Sequence, residues 1–306
     1  VEDKFFNYVV SGSKGTKMPR GDKKSILDYE IYVPVLDIQR KIAAILFSID
    51  QKIELNNSMN KVLEQMAQAI FKQWFVDFEF PNENGEPYKS SGGEMVWCEE
   101  LGKEIPKGWE LNLISDVISV KDGTHDSPKS SPKGFPLVTS KHLKENRIDF
   151  SDANLICETD YNKVNERSKV DRFDILISMI GTIGTLYLVQ DRDVNFAIKN
   201  IGLFKTSEKE SLFEYVYFHL KSDFISNHIK ERLAGSTQQY ISLGELRKIP
   251  MLYPDEHILV SFKNKVNSLV TRIHNNSLKN ESLIKMRDTL LPKLMSGEID
   301  VSEIDV

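Results

Sequence analysis

"KIELNN" at residues 52–57 and "RIHNNS" at residues 272–277 each place an asparagine, Asn56 or Asn276, where an amphipathic helix would otherwise carry an apolar residue. The two stretches lie 220 positions apart (from 56 to 276), and the apolar pattern around them repeats at this offset without a gap. The matched apolar positions are Ile38, Ile42, Leu46, Ile49 and Ile53 in the first copy and Ile258, Phe262, Val266, Leu269 and Ile273 in the second. The chain therefore uses one supersecondary unit twice.

The spacing inside each copy predicts a long α-helix with one apolar seam, over about 38–75 and again over about 258–291. Two such helices with matching seams are expected to pair as an antiparallel coiled coil. A buried asparagine in a seam costs stability but selects the register in which its amide finds a partner, which is the role predicted for Asn56 and Asn276. The alternative is that both amides lie at the solvated edge of the seam.

The rest of the chain divides around these helices. The domains expected are the end of a first globular domain (1–37), a long helix (38–78), an acidic linker with a hairpin at most (79–104), a second globular domain (105–254), a second long helix (255–296) and an acidic tail (297–306). Within 105–254 the patterns are mostly those of strands, such as "PLVTS", "FDILISMIG", "TLYLV" and "NIGLFK", with one helix near 211–233. The predicted fold class is α+β.

Charge is distributed unevenly along the 306 residues, whose net charge is −5. Residues 77–104 carry eight acids against two lysines, while residues 121–147 carry six basic residues against three acids. The overall sum therefore does not exclude binding to nucleic acid. The two cysteines form neither a disulfide framework nor a metal-ligand pattern, and the longest uncharged stretch (175–190) is too short to span a membrane. We expect a cytoplasmic protein.

Several segments, in order, resemble the specificity subunit of type I restriction-modification systems. These are "IPKGWE", "KDGTHDSPKSSPKGFPLVTSKHLKENRIDF", "FDILISMIGTIG", "LAGSTQQYISLGELRKIPMLYP" and "MRDTLLPKLMSGEI". In that family two target-recognition domains each read half of a bipartite DNA site, and long conserved helices separate and follow them. One departure is Phe173, where the family more usually has glycine, so the turn before Asp174 is expected to differ in shape.

The resemblance implies a subunit without catalytic activity or a cofactor of its own. It implies double-stranded DNA as ligand, two methyltransferase subunits that bind AdoMet and dock on the long helices, and two motor-nuclease subunits that use ATP and Mg²⁺. Because residues 1–37 match only the end of the second globular domain, with Gly15-Thr16 on Gly235-Ser236, the chain is expected to lack most of its first recognition domain. Two alternatives remain open: a naturally short subunit that homodimerises, and a coiled-coil scaffold without DNA specificity.

Two loops carry the candidate DNA-binding residues. Phosphates require cations and N–H donors, whereas base edges require paired donors and acceptors. The candidates are Lys121, Thr124, His125, Lys129, Lys133 and Lys141 in and after "KDGTHDSPKSSPKG", and Ser236, Thr237, Gln238 and Gln239 in "GSTQQY". The alternative to DNA binding is a flexible loop for "KDGTHDSPKSSPKG" and a turn that only ends the preceding helix for "GSTQQY". For catalysis the sequence offers no AdoMet or nucleotide loop between strand and helix, no motif for a flipped adenine and no metal-ligand spacing.

Overall fold

The computed structural model describes residues 3–11, 22–31 and 33–304, so the predicted match of Gly15-Thr16 lies outside the described residues. Contacts divide the chain into two units, residues 1–53 with 281–306 (unit 1) and residues 54–280 (unit 2). The α-helices are α1 (Asp3–Ser11), α2 (Lys23–Leu27), α3 (Leu36–Phe75), α4 (Ile114–Val117), α5 (Glu158–Ser168), α6 (Phe213–Leu220), α7 (Asp223–Glu231), α8 (Leu243–Arg247) and α9 (Glu256–Met295).

Within the described residues, every strand follows α3. They are β1 (Met95–Cys98), β2 (Lys103–Pro106), β3 (Glu110–Leu113), β4 (Val120–Asp122), β5 (Phe135–Val138), β6 (Leu143–Lys144), β7 (Arg147–Ile148), β8 (Leu155–Ile156), β9 (Ile175–Ser178), β10 (Leu186–Leu188), β11 (Ala197–Ile198), β12 (Ile201–Phe204) and β13 (Pro250–Tyr253). Helices and strands are therefore mixed, and the predicted α+β class is confirmed.

The two long helices pair in antiparallel fashion, as the seam predicts. Within unit 2, Asn56 Nδ2 donates to Asn280 Oδ1 at 2.8 Å, and Asn276 Nδ2 donates to Asn60 Oδ1 at 2.8 Å. All four side chains are buried. Asn56 and Asn276 therefore lie inside the seam and not at a solvated edge. Their partners, Asn280 and Asn60, are not predicted by the repeat. The role of Asn56 and Asn276 in fixing the register stays a prediction.

Unit 1 has a small core of its own. Ile42 on α3, Leu294 near the end of α9 and Val301 after it are buried together. Lys41 Nζ donates to the carbonyl oxygen of Ser302 at 2.6 Å, so the segment after α9 is held beside the beginning of α3. Helix α9 runs through Pro292 and ends at Met295, about a turn beyond the apolar pattern and within the expected range 255–296. Pro292 lacks the N–H of one helical hydrogen bond, and only three residues of the helix follow it.

The core of unit 2 is a four-stranded antiparallel sheet with the strand order β10-β9-β12-β4. Strands β9 and β10 are the two halves of the apolar stretch 175–190, which confirms its interpretation as two buried strands around a glycine-containing turn. The hairpin β1–β2 lies in and just after the acidic linker. Strand β13 pairs with β3, so that the two ends of the predicted globular domain lie side by side.

The prediction of a single helix near 211–233 is wrong, because the structure has two helices there, α6 and α7. Helix α6 ends at Leu220, and the hydroxyl oxygen of Ser222 caps α7 by accepting a hydrogen bond from the backbone N–H of Ile225 at 3.3 Å. A serine that caps a new helix is a local stop signal. Apolar residues continue on both sides of this break, and that continuity hides it in the sequence.

Phe173 has a φ angle of +72°, a conformation that glycine adopts freely and other residues rarely adopt. Its backbone N–H donates to the carbonyl oxygen of Val189, and its ring stacks on Phe213 with the centroids 4.4 Å apart. The turn before β9 thus accommodates a phenylalanine in a backbone geometry suited to glycine, and the difference in turn shape expected from the sequence stays a prediction.

Candidate nucleic-acid interface

One end of the four-stranded sheet collects loops that are far apart in the sequence. Gly202 of β12 is aligned with Asp122, the last residue of β4, and Ile201 is aligned with Ser178, the last residue of β9. Because neighbouring strands are antiparallel, the residues after β4, those before β12 and the turn between β9 and β10 all lie at this end. We call it the loop end of the sheet.

The loop that follows β4 begins in a fixed position. Gly123 N–H donates to the Ile201 carbonyl at 2.9 Å, and Thr124 N–H donates to the Ile198 carbonyl at 3.0 Å. A Cβ atom at Gly123 would lie 2.4 Å from the carbonyl oxygen of Ile198, so no larger residue fits there without a shift of the backbone. The glycine of "KDGTH" therefore lets the loop approach the segment before β12.

Asp122, His125, Arg167 and Asn200 form a polar cluster at the loop end. The buried Asp122 carboxylate accepts a hydrogen bond from the guanidinium of Arg167, and its Oδ2 lies 3.0 Å from Nε2 of His125. The other ring nitrogen of His125, Nδ1, lies 2.8 Å from Oδ1 of Asn200. The exposed imidazole is thus held between two oxygen atoms from two different parts of the chain.

The second candidate loop, 235–239, is closed at its base by Ala234 and Tyr240, whose backbone N–H groups each donate to the other's carbonyl at 2.9 Å. Tyr240 also forms a β-bridge with Ile180, in the turn between β9 and β10. Gly235 has a φ angle of +93° and lies where a Cβ atom would meet the Gln238 carbonyl oxygen at 2.3 Å. Both candidate loops therefore start from the loop end of the sheet.

The predicted DNA-binding residues differ in their surroundings. His125, Lys129, Lys133, Ser236, Thr237, Gln238 and Gln239 are exposed, and Lys121 and Thr124 are partly buried. Lys141 is exposed, but its ammonium lies 2.7 Å from the Asp152 carboxylate, and this hydrogen bond keeps the pKa of Asp152 below its usual range. Lys141 therefore already has an anionic partner, unlike Lys129 and Lys133, for which no ion pair is recorded within the described residues.

Three further residues lie at the loop end and are not among the predicted DNA-binding residues. These are Arg167 on α5 and Lys199 and Asn200 between β11 and β12. Lys199 Nζ donates to the hydroxyl of Ser127, within the first candidate loop. The pairing of β12 with β4 brings Lys199 and Asn200 to the loop, and Arg167 of α5 contacts Asp122 at the end of β4. Contacts between segments so far apart in the sequence leave no local pattern.

The loop end carries the chemical groups that nucleic acids require. The ammonium groups of Lys129 and Lys133 can contact phosphates, and the exposed amides of Gln238 and Gln239 combine a donor and an acceptor as base edges do. Among the described residues, no group of three or more His, Cys, Asp or Glu side chains is arranged to hold a metal ion. In the described part of the chain, no helix has the length and apolar character needed to cross a membrane.

The protein has an α+β domain, a pair of antiparallel long helices, and loops with basic and amide side chains at one end of a sheet. This combination is typical of a protein that recognises nucleic acid. The chain belongs to the family described as "Type I restriction modification DNA specificity domain", whose model matches residues 4–65 and 106–281.

Similar proteins agree with this assignment. The chain is 30% identical over 305 residues to the type I restriction enzyme MjaIX specificity subunit of Methanocaldococcus jannaschii, covering 97% of this chain and 67% of that protein. It is 27% identical over 349 residues to the type I restriction enzyme HindI specificity subunit of Haemophilus influenzae, covering 96% and 74%. The fold resembles the crystal structure of the type I restriction-modification system S subunit from M. genitalium, with a TM-score of 0.53, 18% identity and coverage of 96% and 72%. The chain is therefore a DNA specificity subunit, with a role in recognition.

Proposed function

We propose that the loop end of the sheet reads one half of a bipartite DNA target. The observation that carries this proposal is the convergence of the two candidate loops, one after β4 and one held at Tyr240 against Ile180, on the same end of one sheet. In this assignment Lys121, Lys129, Lys133 and the hydroxyls of Ser236 and Thr237 contact phosphates. Gln238 and Gln239 contact base edges.

The same proposal assigns docking of two methyltransferase subunits to the long helices. In unit 2, Val62 and Met66 of α3 are about half exposed, although they are apolar and lie four positions apart on one helix face. Exposed apolar residues in a row support a protein-binding surface. The methyltransferase subunits would supply AdoMet, and two motor-nuclease subunits that use ATP and Mg²⁺ would complete the restriction enzyme. The free thiols Cys98 and Cys157 fit a reducing, cytoplasmic setting.

We further propose that unit 1 accepts a second recognition domain. The support comes from the repeat, because positions that unit 2 buries have exposed equivalents in unit 1. Met251 and Phe71 are 0% and 4% exposed, whereas their equivalents at the repeat offset, Ile31 and Leu291, are 72% and 44% exposed. A domain similar to residues 105–254 would cover these positions.

The second candidate arrangement is a homodimer that supplies two recognition domains, and the exposed face of unit 1 favours it over a scaffold without DNA specificity. Light scattering separates the possibilities. A monomer supports a subunit that lacks most of its first recognition domain, and a dimer supports the naturally short subunit.

The function is tested by methylation. The purified chain with AdoMet, ATP and Mg²⁺ is expected to neither methylate nor cleave DNA. Added methyltransferase subunits, together with a second recognition domain, are expected to methylate DNA at a defined sequence. Turnover by the chain alone, or methylation without sequence preference in the complete complex, would overturn the proposal.

A further inference from the structure

We propose that Asn200 reads a base, and that His125 and Asp122 are positioning residues that fix its amide. The inference rests on the proposed DNA contact at the loop end and adds a residue to it that lies outside both candidate loops.

The backbone of Asn200 is fixed from both sides. Its N–H donates to the Thr124 carbonyl at 3.2 Å, and its carbonyl accepts a hydrogen bond from the Ser140 hydroxyl at 3.2 Å. Its φ angle is +53°, in the left-handed region that asparagine tolerates better than most residues. The side chain therefore starts from a rigid point at the loop end, a requirement for a residue that must meet one base edge in a defined geometry.

Only one end of the Asn200 amide is engaged. Oδ1 lies 2.8 Å from His125 Nδ1, whereas none of residues 3–11, 22–31 and 33–304 is recorded to accept a hydrogen bond from Nδ2. An asparagine amide has two donor hydrogens and one acceptor oxygen. In this orientation it keeps both N–H donors for an outside acceptor, such as N7 or O6 of a purine in the major groove.

His125 fixes this orientation because Asp122 orients the ring. The buried carboxylate of Asp122 lies beside Nε2 and is itself held by Arg167 of α5, so its position does not depend on the loop alone. Oxygen acceptors face both ring nitrogens, so both contacts are hydrogen bonds only when the ring carries a hydrogen on each nitrogen. Without the Asp122 carboxylate, Nδ1 can instead accept a hydrogen bond from the amide, which turns Oδ1 of Asn200 outward. Loss of the carboxylate therefore changes the orientation of the amide without removing it.

The test uses the assembled complex on a randomised duplex DNA library, with methylated sequences read out by sequencing. The variant Asn200→Gly removes the amide but keeps a residue that adopts positive φ freely, so the backbone is preserved. The matched control is Asn146→Gly, because Asn146 has a φ angle of +59° and lies in the turn between β6 and β7. The second variant, Asp122→Asn, retains shape and removes the charge.

We expect Asn200→Gly to lower the preference at one base position by about 10-fold, with melting temperature and salt dependence unchanged. Asp122→Asn should shift the preference at the same position, and Asn146→Gly should change nothing. An Asn200→Gly complex with the wild-type target preference would overturn the inference. So would a preference that changes only together with a fall in melting temperature. If the wild-type complex itself shows no target preference, the proposed function fails instead.

Discussion

Asn276 donates a hydrogen bond from Nδ2 to Oδ1 of Asn60 at 2.8 Å across the helix pair. The repeat offset carries Asn56 to Asn276 and Asn280 to Asn60, so the bond from Asn56 to Asn280 is the equivalent of this one in the other direction. The two helices therefore satisfy four buried amides by an approximate twofold arrangement. A shift of one helix by a single residue would break both bonds, which is why the asparagines are expected to select the register.

Replacing one asparagine is expected to destabilise the chain. Considered from the sequence alone, Asn276→Leu removes a buried polar group and should raise stability. The structure instead predicts a lower free energy of unfolding, because the variant leaves Oδ1 of the buried Asn60 without its donor, at a cost of about 1–3 kcal/mol. Urea denaturation measures this change. Asn275→Leu, one residue away on the exposed face of α9, is the matched control and should have little effect.

The double variant Asn60→Leu with Asn276→Leu removes both partners and should recover much of the stability of the wild type, with a less specific register. If the double variant is no more stable than Asn276→Leu, the bond between these two amides is not the source of the effect.

The left-handed backbone of Phe173 predicts an unusual order of stabilities. Phe173→Ala and Phe173→Gly both remove the stacking on Phe213, but only alanine retains a Cβ atom at φ +72°. Because this conformation costs a residue with a Cβ atom about 1 kcal/mol or more, the glycine variant should be the more stable of the two by about that amount. Thermal denaturation of both variants measures the difference. The control pair is Phe213→Ala and Phe213→Gly, at the first residue of α6. There the alanine variant should be the more stable protein, because alanine favours a helix more than glycine does.

Glu214 predicts a dependence of stability on pH. Its carboxyl group is fully buried, neither oxygen has a hydrogen-bond partner within the described residues, and burial raises its pKa to about 8, against the opposing effect of Lys263. In the unfolded chain the same group ionises near pH 4.5. Between these values the folded state holds a proton that the unfolded state has released. The contribution of Glu214 to stability is therefore greatest below pH 4.5 and falls by about 1.4 kcal/mol per pH unit up to pH 8.

Glu214→Gln should remove this slope, because the glutamine does not ionise. The free energy of unfolding is measured from pH 5 to pH 8 for the wild type, for Glu214→Gln and for the exposed Glu83→Gln, which should follow the wild type. Parallel curves for all three proteins would contradict the buried, protonated state of Glu214.

The long helices were predictable from the sequence because their signal is local and repeated. Ile42 and Ile49 on α3, like Val266 and Ile273 on α9, are seven positions apart, a helical spacing. Both helices begin and end within a few residues of the expected bounds. Asn60 and Asn280 were missed for the opposite reason, since a polar residue in the seam interrupts the apolar pattern that reveals the seam. Only the pairing of the helices shows that these amides face Asn276 and Asn56.

The site was predictable only in part. The loops containing Lys129 and Gln238 stand out by composition, but their convergence follows from the strand order β10-β9-β12-β4, which places β4 next to a strand about 80 positions later in the chain (from 122 to 202). The contact of Asn200 was likewise not predictable from the sequence. Its neighbours in the sequence belong to two strands, whereas its side-chain partner His125 comes from another loop.

The two candidate loops are expected to bind DNA in different ways, and charge determines the difference. Lys129 and Lys133 are exposed, and lysines that bind phosphate act through the release of counterions, independently of sequence. Lys129→Ala or Lys133→Ala should therefore weaken binding about equally on the cognate and a scrambled site, with the salt slope lowered by about one unit for each lysine removed. The variant Lys141→Ala serves as control, because its ammonium is already bound to Asp152 and should release few counterions.

An exposed amide that reads a base edge behaves differently from these lysines. Gln238→Ala or Gln239→Ala should cost about 1–3 kcal/mol on the cognate half-site and little on a scrambled one, with the salt slope unchanged, because no charge is removed. Salt titrations of the methyltransferase-bound complex against both DNAs measure the two quantities together. An equal fall in affinity on both sequences would mean that the 235–239 loop, fixed by Gly235 and closed by Tyr240, is a structural or phosphate-binding turn. Base recognition would then belong to the loop after β4 and to Asn200 beside it.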